Sequence, residues 1–369
     1  MRVGVNLMWC LPGQVGGSEQ YLVRQLLGLR ESEANVEITM YGSAAFEAVH
    51  EDLVRTGTFV VAPIDGRRRW RRVLSETRWL RSRTKDVHFV HHGGGTAPPW
   101  ARRPYLLTIH DLQYLTFPEH FSSLKLRYLD AMVPRSARHA SVITVPSEYV
   151  RQTVVERLHV SAKRVIVVPH GYEVALLKYR TPEDVLRREL ALGDGPFVVY
   201  PAITHPHKNH QLLVDLLAST WTDPDLRLVL LGGTGTAEDA LQRAIATAGT
   251  AVSGRIVRPG RVSDADRNGL LAAAAALVFP SRYEGFGAPL IEAMALGAPV
   301  IASDATCIPD IVGNAGIVRP PTVEAWADAL DEVARRRTEL VAAGRDRARA
   351  FTAYASGTAL EAAYRQVRS

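Results

Sequence analysis

Short apolar runs alternate with longer stretches of helical periodicity along most of the chain. "RVGVNLM", "VEITMYG", "VHFVHH", "YLLTIH", "SVITVPS" and "RVIVVPH" read as strands, with amphipathic segments between several of them. A second series, "PFVVYPA", "RLVLLGG", "RIVRPG", "ALVFPS" and "PVIAS", repeats the rhythm. Strands alternating with helices predict an α/β architecture of parallel sheets with helices on both faces. The rhythm breaks between Tyr172 and Pro196, where a Gly-Asp-Gly-Pro turn closes "YEVALLKYRTPEDVLRRELALGDGP". The domain boundary falls there, with a first domain over residues 1–172 and a second over 173–351. The helical tail, about 352–369, is expected to pack back on the first. Two doubly wound, Rossmann-like domains are expected to face across a cleft, with a ligand at the carboxyl ends of their strands.

Composition agrees with two ordinary cores. The 369 residues exceed what one core usually organises, and 47% hydrophobic with 22% charged residues is a globular balance. Only Cys10 and Cys307 are present, too few for a disulfide framework, which points to a reducing, cytoplasmic setting. "MRVGVNLMWCLPG" has no small-residue cleavage site and reads as a buried strand. The longest apolar run, Leu270 to Phe279, has about half the ~20 residues of a membrane span.

Charge changes the picture in one place. Much of the net +6 lies between Arg67 and Arg83, where eight arginines surround Trp70 and Trp79. Arginines with interleaved tryptophans suit a helix lying on an anionic membrane surface. A solvated basic face with two half-buried tryptophans fits the same pattern and is the commoner outcome of a charge run. No nucleic-acid signature accompanies the patch, so no nucleic-acid partner is expected. Nothing in the sequence sets the oligomeric state.

The chemistry concentrates in "SRYEGFGAPLIEAMALGAPVIAS", residues 281–303. "ALVFPS" predicts a strand, "RYEGFG" its loop, and "APLIEAMALG" a helix that ends at Gly297 with Pro299 beyond. Between Glu284 in the loop and Glu292 in the helix, Phe286, Gly287 and Ala288 offer amides at a positive helix end suited to phosphate. A carboxylate repels phosphate, so the two glutamates are expected to meet neutral hydroxyls on either side of it. A sugar nucleotide has that layout: hexose hydroxyls, diphosphate, ribose hydroxyls.

"EGFGAPLIE" resembles the Glu-x7-Glu motif of retaining glycosyltransferases of the GT-B fold, family 4, the group-1 glycosyltransferases. "GQVGGSEQY" resembles that family's Gly-Gly loop after the first strand, "TIHDL" its His-Asp element, and "YPAITHPHKNH" its lysine loop. "VVPHGYE" resembles its Pro-Asn-Gly segment, with His170 replacing Asn. The resemblance implies that Lys208, the amides of Phe286 to Ala288 and the Gly17 amide stabilise a departing nucleoside diphosphate. It implies that Glu284 holds hexose hydroxyls, Glu292 the ribose, and His110 the donor sugar, with Asp111 fixing the histidine. Gly16 and Gly17 allow close backbone approach, although they also fit a tight turn before a helix capped by Ser18. Many relatives carry an arginine beside the lysine, and whether His205 or His207 replaces it stays open. The nucleobase is expected near "PGRVSD", around Val262, read by backbone groups.

The family works without a bound metal, and none is expected here. His205, His207 and His210 have ligand-like spacing but no carboxylate or cysteine nearby in sequence, and Ser263, Asp264 and Asp266 read as a helix cap. No cofactor beyond the donor is implied. The motif set looks most like mannosyltransferases of bacterial polysaccharide synthesis, which makes GDP-mannose the first donor and leaves UDP- and dTDP-sugars open. The acceptor is a glycan or a lipid-linked saccharide. A nucleotide-sugar epimerase shares the implied architecture, and a non-catalytic sensor would keep the binding loops; a PLP-dependent phosphorylase is much longer.

Overall fold

The computed structural model describes residues 1–64, 68–102 and 104–368, Arg69 by its backbone alone. The chain divides into two units, Met1–Gly171 with Thr352–Ser369, and Tyr172–Phe351. The first is built on β1 (Arg2–Asn6), β2 (Glu37–Gly42), β3 (Thr58–Val61), β4 (Phe89–His92), β5 (Tyr105–Thr108), β6 (Val142–Val145) and β7 (Val165–Val167). All neighbours run parallel, in the order β3-β2-β1-β4-β5-β6-β7. β1 is flanked by β2, with Val3 beside Ile38, and by β4, with Val3 beside Phe89. The chain winds outward from β1 to β3 and returns on the other side at β4. That reversal is the switch point at which open α/β sheets bind ligands.

The second unit repeats the plan with β8 (Phe197–Pro201), β9 (Arg227–Leu231), β10 (Ile256–Gly260), β11 (Ala276–Phe279), β12 (Val300–Ser303) and β13 (Ile317–Arg319). Their order is β10-β9-β8-β11-β12-β13, again parallel, with the switch between β8 and β11. The central strands are apolar without alternation because helices cover both faces. β3 and β13 escape the hydrophobic pattern. Both are short edge strands whose residues are half-exposed or exposed on one side, so "TFVV" and "IVR" carry little apolar signal.

Helices α1 (Gly17–Glu31), α2 (Ser123–His139), α3 (His210–Ser219), α4 (Asp264–Ala273), α5 (Ala288–Leu296), α6 (Ala329–Ala348) and α7 (Ala353–Arg368) carry most of the packing that matters here. α7 lies against α1 in the first unit. Its Tyr364 is fully buried, with the ring edge-on to Phe89 at 5.4 Å and the hydroxyl 2.8 Å from His91 Nδ1. The two helices touch backbone to backbone: a Cβ on Gly28 would lie 1.7 Å from the Ala353 carbonyl oxygen, and one on Gly357 would lie 2.1 Å from the Gly28 carbonyl carbon.

That crossing has no room for a methyl group. Gly28→Ala would gain up to ~1 kcal/mol of helix propensity, yet we expect a net loss of about 1–3 kcal/mol from overpacking. Urea unfolding of wild type and variant checks it; an unchanged or raised midpoint would show that the helices can separate without loss.

Candidate functional site

In the first unit three loops leave the carboxyl ends of β1, β4 and β5. Asn6, the last residue of β1, accepts the Met8 amide (3.1 Å) and donates to Glu76 Oε1 (3.2 Å), while the Trp9 indole donates to its carbonyl (2.9 Å). These bonds press Trp9 onto the loop after β4. A side chain on Gly94 would begin 2.5 Å from the Trp9 ring, and one on Gly93 would begin 2.5 Å from Leu22. Only glycine lets the two loops lie flush.

The Gly93 carbonyl accepts the Nε2–H of His110 at 2.8 Å. Trp9 and Tyr21 wall the imidazole at 5.9 and 5.3 Å between ring centres. Burial pushes its pKa down to about 4, against the opposing pull of the Gly93 bond. At neutral pH the ring is therefore uncharged, with its lone pair on Nδ1. Asp111 accepts the Gln113 amide (2.9 Å), and the Gly93 carbonyl orients His110. His170 packs on Tyr21 at 4.4 Å and is likewise held neutral by burial.

Gly16 precedes α1 with φ 62°, and no side chain caps the helix. Ser18 lies within the first turn instead of capping it. Glu19 takes over the loop: buried, it accepts the Gly13 amide (2.9 Å) and pairs with His50 Nε2 (2.7 Å). A buried carboxylate needs such partners, and here they anchor the segment that ends in Gly16 and Gly17.

In the second unit the Lys208 ammonium and the Glu284 carboxylate meet at 2.6 Å, although they stand 76 positions apart. The lysine loop follows β8 and the glutamate loop follows β11, the two strands at the switch point. Tyr200 ties the loops together from below. Its buried hydroxyl donates to the Lys208 carbonyl (2.9 Å) and bonds Ser281 Oγ (2.8 Å), while the Arg282 amide donates to the His207 carbonyl (2.7 Å). The Glu284 amide donates to Thr306 Oγ1 (3.1 Å), and the Cys307 thiol lies 3.3 Å from the Glu284 carbonyl oxygen.

Gly287 caps α5 with φ 88°, a conformation that favours glycine, and Pro289 occupies the first turn without an N–H. Gly297 ends the helix with φ 87° and bonds back to the Ala293 and Met294 carbonyls. The Phe286 ring is buried edge-on against Phe351 (5.7 Å), so only its backbone faces the loop's chemistry. Ala288 opens the helix. Glu292 is buried on α5, 3.9 Å from Arg267, which also reaches Asp264 at 3.2 Å.

His205 and His207 stack at 5.8 Å between ring centres, and His205 Nδ1 lies 3.3 Å from Thr236 Oγ1. His210 turns inward against Tyr200 (4.8 Å), and burial lowers its pKa to about 4. Ser263 accepts the Asp266 amide (3.1 Å) as the cap of α4, and Asp266 accepts the Thr181 hydroxyl (2.5 Å). Among the described residues no group of three His, Cys, Asp or Glu is arranged to hold a metal ion. Val262 sits half-buried in the loop after β10. Beside that strand a cavity of about 230 Å³ opens at the carboxyl ends of β8, β9 and β10, lined by Thr204, Gly232, Gly233, Glu238 and Arg258 among others.

The sequence profile described as "Glycosyltransferase Family 4" matches residues 15–176, and that described as "Glycosyl transferases group 1" matches residues 183–351. The chain belongs to this family. It is 30% identical over 247 residues to the O-antigen chain mannosyltransferase B of Escherichia coli, across 66% of this chain and 64% of the relative. It is 26% identical to the O-antigen chain mannosyltransferase RfbU of Salmonella typhimurium, across 63% and 61%. The match thus spans less than two thirds of each relative's length. The fold superposes on the Anabaena protein HepE in complex with UDP and glucose with a TM-score of 0.76, at 20% identity and 98% coverage of both chains. The architecture is GT-B, with two Rossmann-like sheets.

For this family member the structure groups Gly16, Gly17 and His110 at one end of the first sheet. It groups His205, His207, Lys208, Glu284, Phe286, Gly287, Ala288, Glu292 and Val262 at the corresponding end of the second. The motif reading passed over Gly93–Gly95, Glu19, Tyr200, Glu238 and Arg261. Three glycines directly after a strand were a visible signal. The others act through contacts distant in sequence, such as Arg261 lying against Gly233.

Two outcomes follow from this geometry. His91, His92 and His110 are held near pKa 3, 3 and 4 by burial, below the ordinary 6.5. The unfolded chain takes up these protons first, so stability is full above about pH 6.5 and lost as pH falls toward 4. A melting series from pH 8 to 4 reads this; a midpoint flat throughout would contradict it. Glu19→Ala is expected to loosen the β1–α1 loop and speed amide exchange at Gly13 to Gly17, with exchange in β8–β13 unchanged. Unaltered loop exchange would remove the anchoring role.

Proposed function

We propose that the chain is a retaining, metal-independent hexosyltransferase. It moves a sugar from a nucleoside-diphosphate donor to a glycan or lipid-linked acceptor in bacterial polysaccharide or glycolipid synthesis. The observation that carries this reading is the Lys208–Glu284 pair at the switch point of the second sheet. A cation for the diphosphate and a carboxylate for sugar hydroxyls stand side by side, next to the amides that open α5.

In the proposed reaction the acceptor oxygen bonds the anomeric carbon as the bond from that carbon to the diphosphate breaks. The electron pair leaves with the phosphate, and the acceptor's proton passes to a phosphate oxygen. Charge grows on the leaving group, where Lys208 and the amides of Gly287 and Ala288 stabilise it. This positive charge comes from the chain itself, so turnover in chelator is expected. Neutral His110 supports the donor sugar by hydrogen bonding instead of charge. The cavity by Thr204 and Glu238 takes the nucleoside, with the loop of Val262 following its lining residue Gly260, and Glu292 takes the ribose. GDP-mannose is our first donor, in keeping with the O-antigen mannosyltransferase relatives.

We place contact with the anionic cytoplasmic membrane face at residues 68–83. Trp70 is 64% exposed with Arg71 over its ring (5.3 Å), and Arg78, Arg81 and Arg83 are exposed. Trp79 turns inward onto Tyr41 (6.1 Å), which leaves one tryptophan for the surface; Arg67 lies outside the described residues. No helix among the described residues is long and apolar enough to cross a membrane.

A thermal-shift screen of GDP, UDP, dTDP and ADP and their sugars, with and without Mg²⁺, tests the reading. One nucleotide family should raise the midpoint without metal, and no shift with any would overturn the proposal. Lys208→Ala is expected to lower turnover by ~10²-fold or more, the scale of one transition-state charge contact, and near-normal turnover would remove it from the site. Trp70→Ala should reduce sedimentation with phosphatidylglycerol vesicles; equal sedimentation would refute the membrane placement.

A further inference from the structure

A carboxylate from outside the first sheet reaches the end of β1. Glu76 is buried on the helical segment that follows β3, where it opens a single π-helical turn, Glu76–Leu80. Such widened turns are rare and are frequent at functional sites. A buried carboxylate is costly unless it is partnered. Arg72 Nε stays 3.7 Å from Glu76 Oε1, an ion-pair distance too long for a hydrogen bond. The hydrogen bond comes instead from Asn6 Nδ2 (3.2 Å), 70 positions earlier in the chain.

The buried Asn6 amide meets opposite demands on its two sides. Its Oδ1 accepts the Met8 N–H (3.1 Å), while Nδ2 donates to Glu76 and also faces His92 Nδ1 at 3.2 Å. A donor on one side and an acceptor on the other admit one of the amide's two orientations. Because Nδ2 only donates, His92 Nδ1 accepts and the proton of that ring sits on Nε2. Burial keeps the ring neutral, with a pKa of about 3. Its Nε2 is buried with no hydrogen-bond partner among the described residues. The His92 tautomer is therefore dictated by Asn6 and reports the pose of that side chain.

In this pose Asn6 leaves its own carbonyl to the Trp9 indole (2.9 Å). Trp9 bears on Gly94, and the neighbouring Gly93 carbonyl holds His110 Nε2 at 2.8 Å. We propose that Glu76 is a positioning residue for His110, acting through Asn6, Trp9 and the glycine loop after β4. Removing its acceptor strands a buried Asn6 N–H, which favours another side-chain pose. The turn after β1 then loses its Met8 bond, and Trp9 no longer presses the glycine loop under His110. The consequence for turnover rests on the glycosyl-transfer reading above, whereas the consequence for the two imidazoles does not.

The test is made on the full chain, labelled with ¹⁵N at histidine, by long-range proton–nitrogen NMR of the imidazoles. Wild type is compared with Glu76→Gln, which keeps an acceptor without the charge, and with Glu76→Leu, which keeps the bulk without an acceptor. Wild type and Glu76→Gln should both show His92 and His110 protonated on Nε2, and Glu76→Leu should mix the tautomers of both rings. Asn6→Ala should disturb His110 equally, and the double variant with Glu76→Leu should be no worse than either single change. Each single variant thus carries the test if the other fails to fold. With the nucleotide sugar that raises the melting midpoint, kcat for donor hydrolysis should fall about ten- to a hundred-fold in Glu76→Leu at unchanged KM, and Glu76→Gln should rescue it. Unchanged imidazoles in Glu76→Leu, or a change at His92 that does not reach His110, would overturn the proposal. Equal loss in the Gln and Leu variants would overturn it too, because the ion pair with Arg72 would then be the feature that matters. A wild type that no nucleotide stabilises counts against the transferase reading and leaves the imidazole result standing.

Discussion

A parallel sheet in which one strand's two neighbours are reached by connections leaving in opposite directions must open at that strand's carboxyl end. Neither crossover covers the gap, so backbone amides and loop side chains there stay available to a ligand. This constraint operates twice in the chain, between β1 and β4 and between β8 and β11. Nearly every residue with chemical potential lies on a loop that leaves one of these four strands or their neighbours. The packed helices, including the glycine crossing of α1 and α7, keep the strand ends in register.

The two switch points are finished with opposite electrostatics. In the first unit the buried histidines at the strand ends are neutral: His91 bridges Tyr364 and Thr108, and His110 donates to the Gly93 carbonyl, while Asn6 links β1 to Glu76. Burial without a full charge is inexpensive when each polar atom has a partner. In the second unit a full ion pair, Lys208 with Glu284, stands at the surface of the loops, 20% and 11% exposed. Each charge answers the other, so neither stands alone in a largely buried setting.

Much of this was legible before any coordinates. Two parallel sheets follow from the alternation of apolar runs and helical periodicity, because burial on both faces demands unbroken Val, Ile and Leu. The ends of α5 follow from Gly287 and Gly297, since backbone angles there favour glycine. The spacing of Glu284 and Glu292 across a helix start is likewise a local property that neighbouring residues determine.

What the linear pattern left open was decided by contacts distant in sequence. β3 and β13 form at sheet edges, where pairing with one neighbour supplies the stabilisation that their short, half-exposed sequences lack. Glu19 becomes an anchor only when His50 arrives 31 positions later, and Lys208 meets Glu284 only because β8 and β11 are neighbours. Trp79 resembles Trp70 in sequence context, yet it packs on Tyr41 while Trp70 stays in solvent. Local rules act through backbone angles and one-sided burial, which the sequence states directly. Long-range pairing depends on strand order, which the sequence by itself does not print.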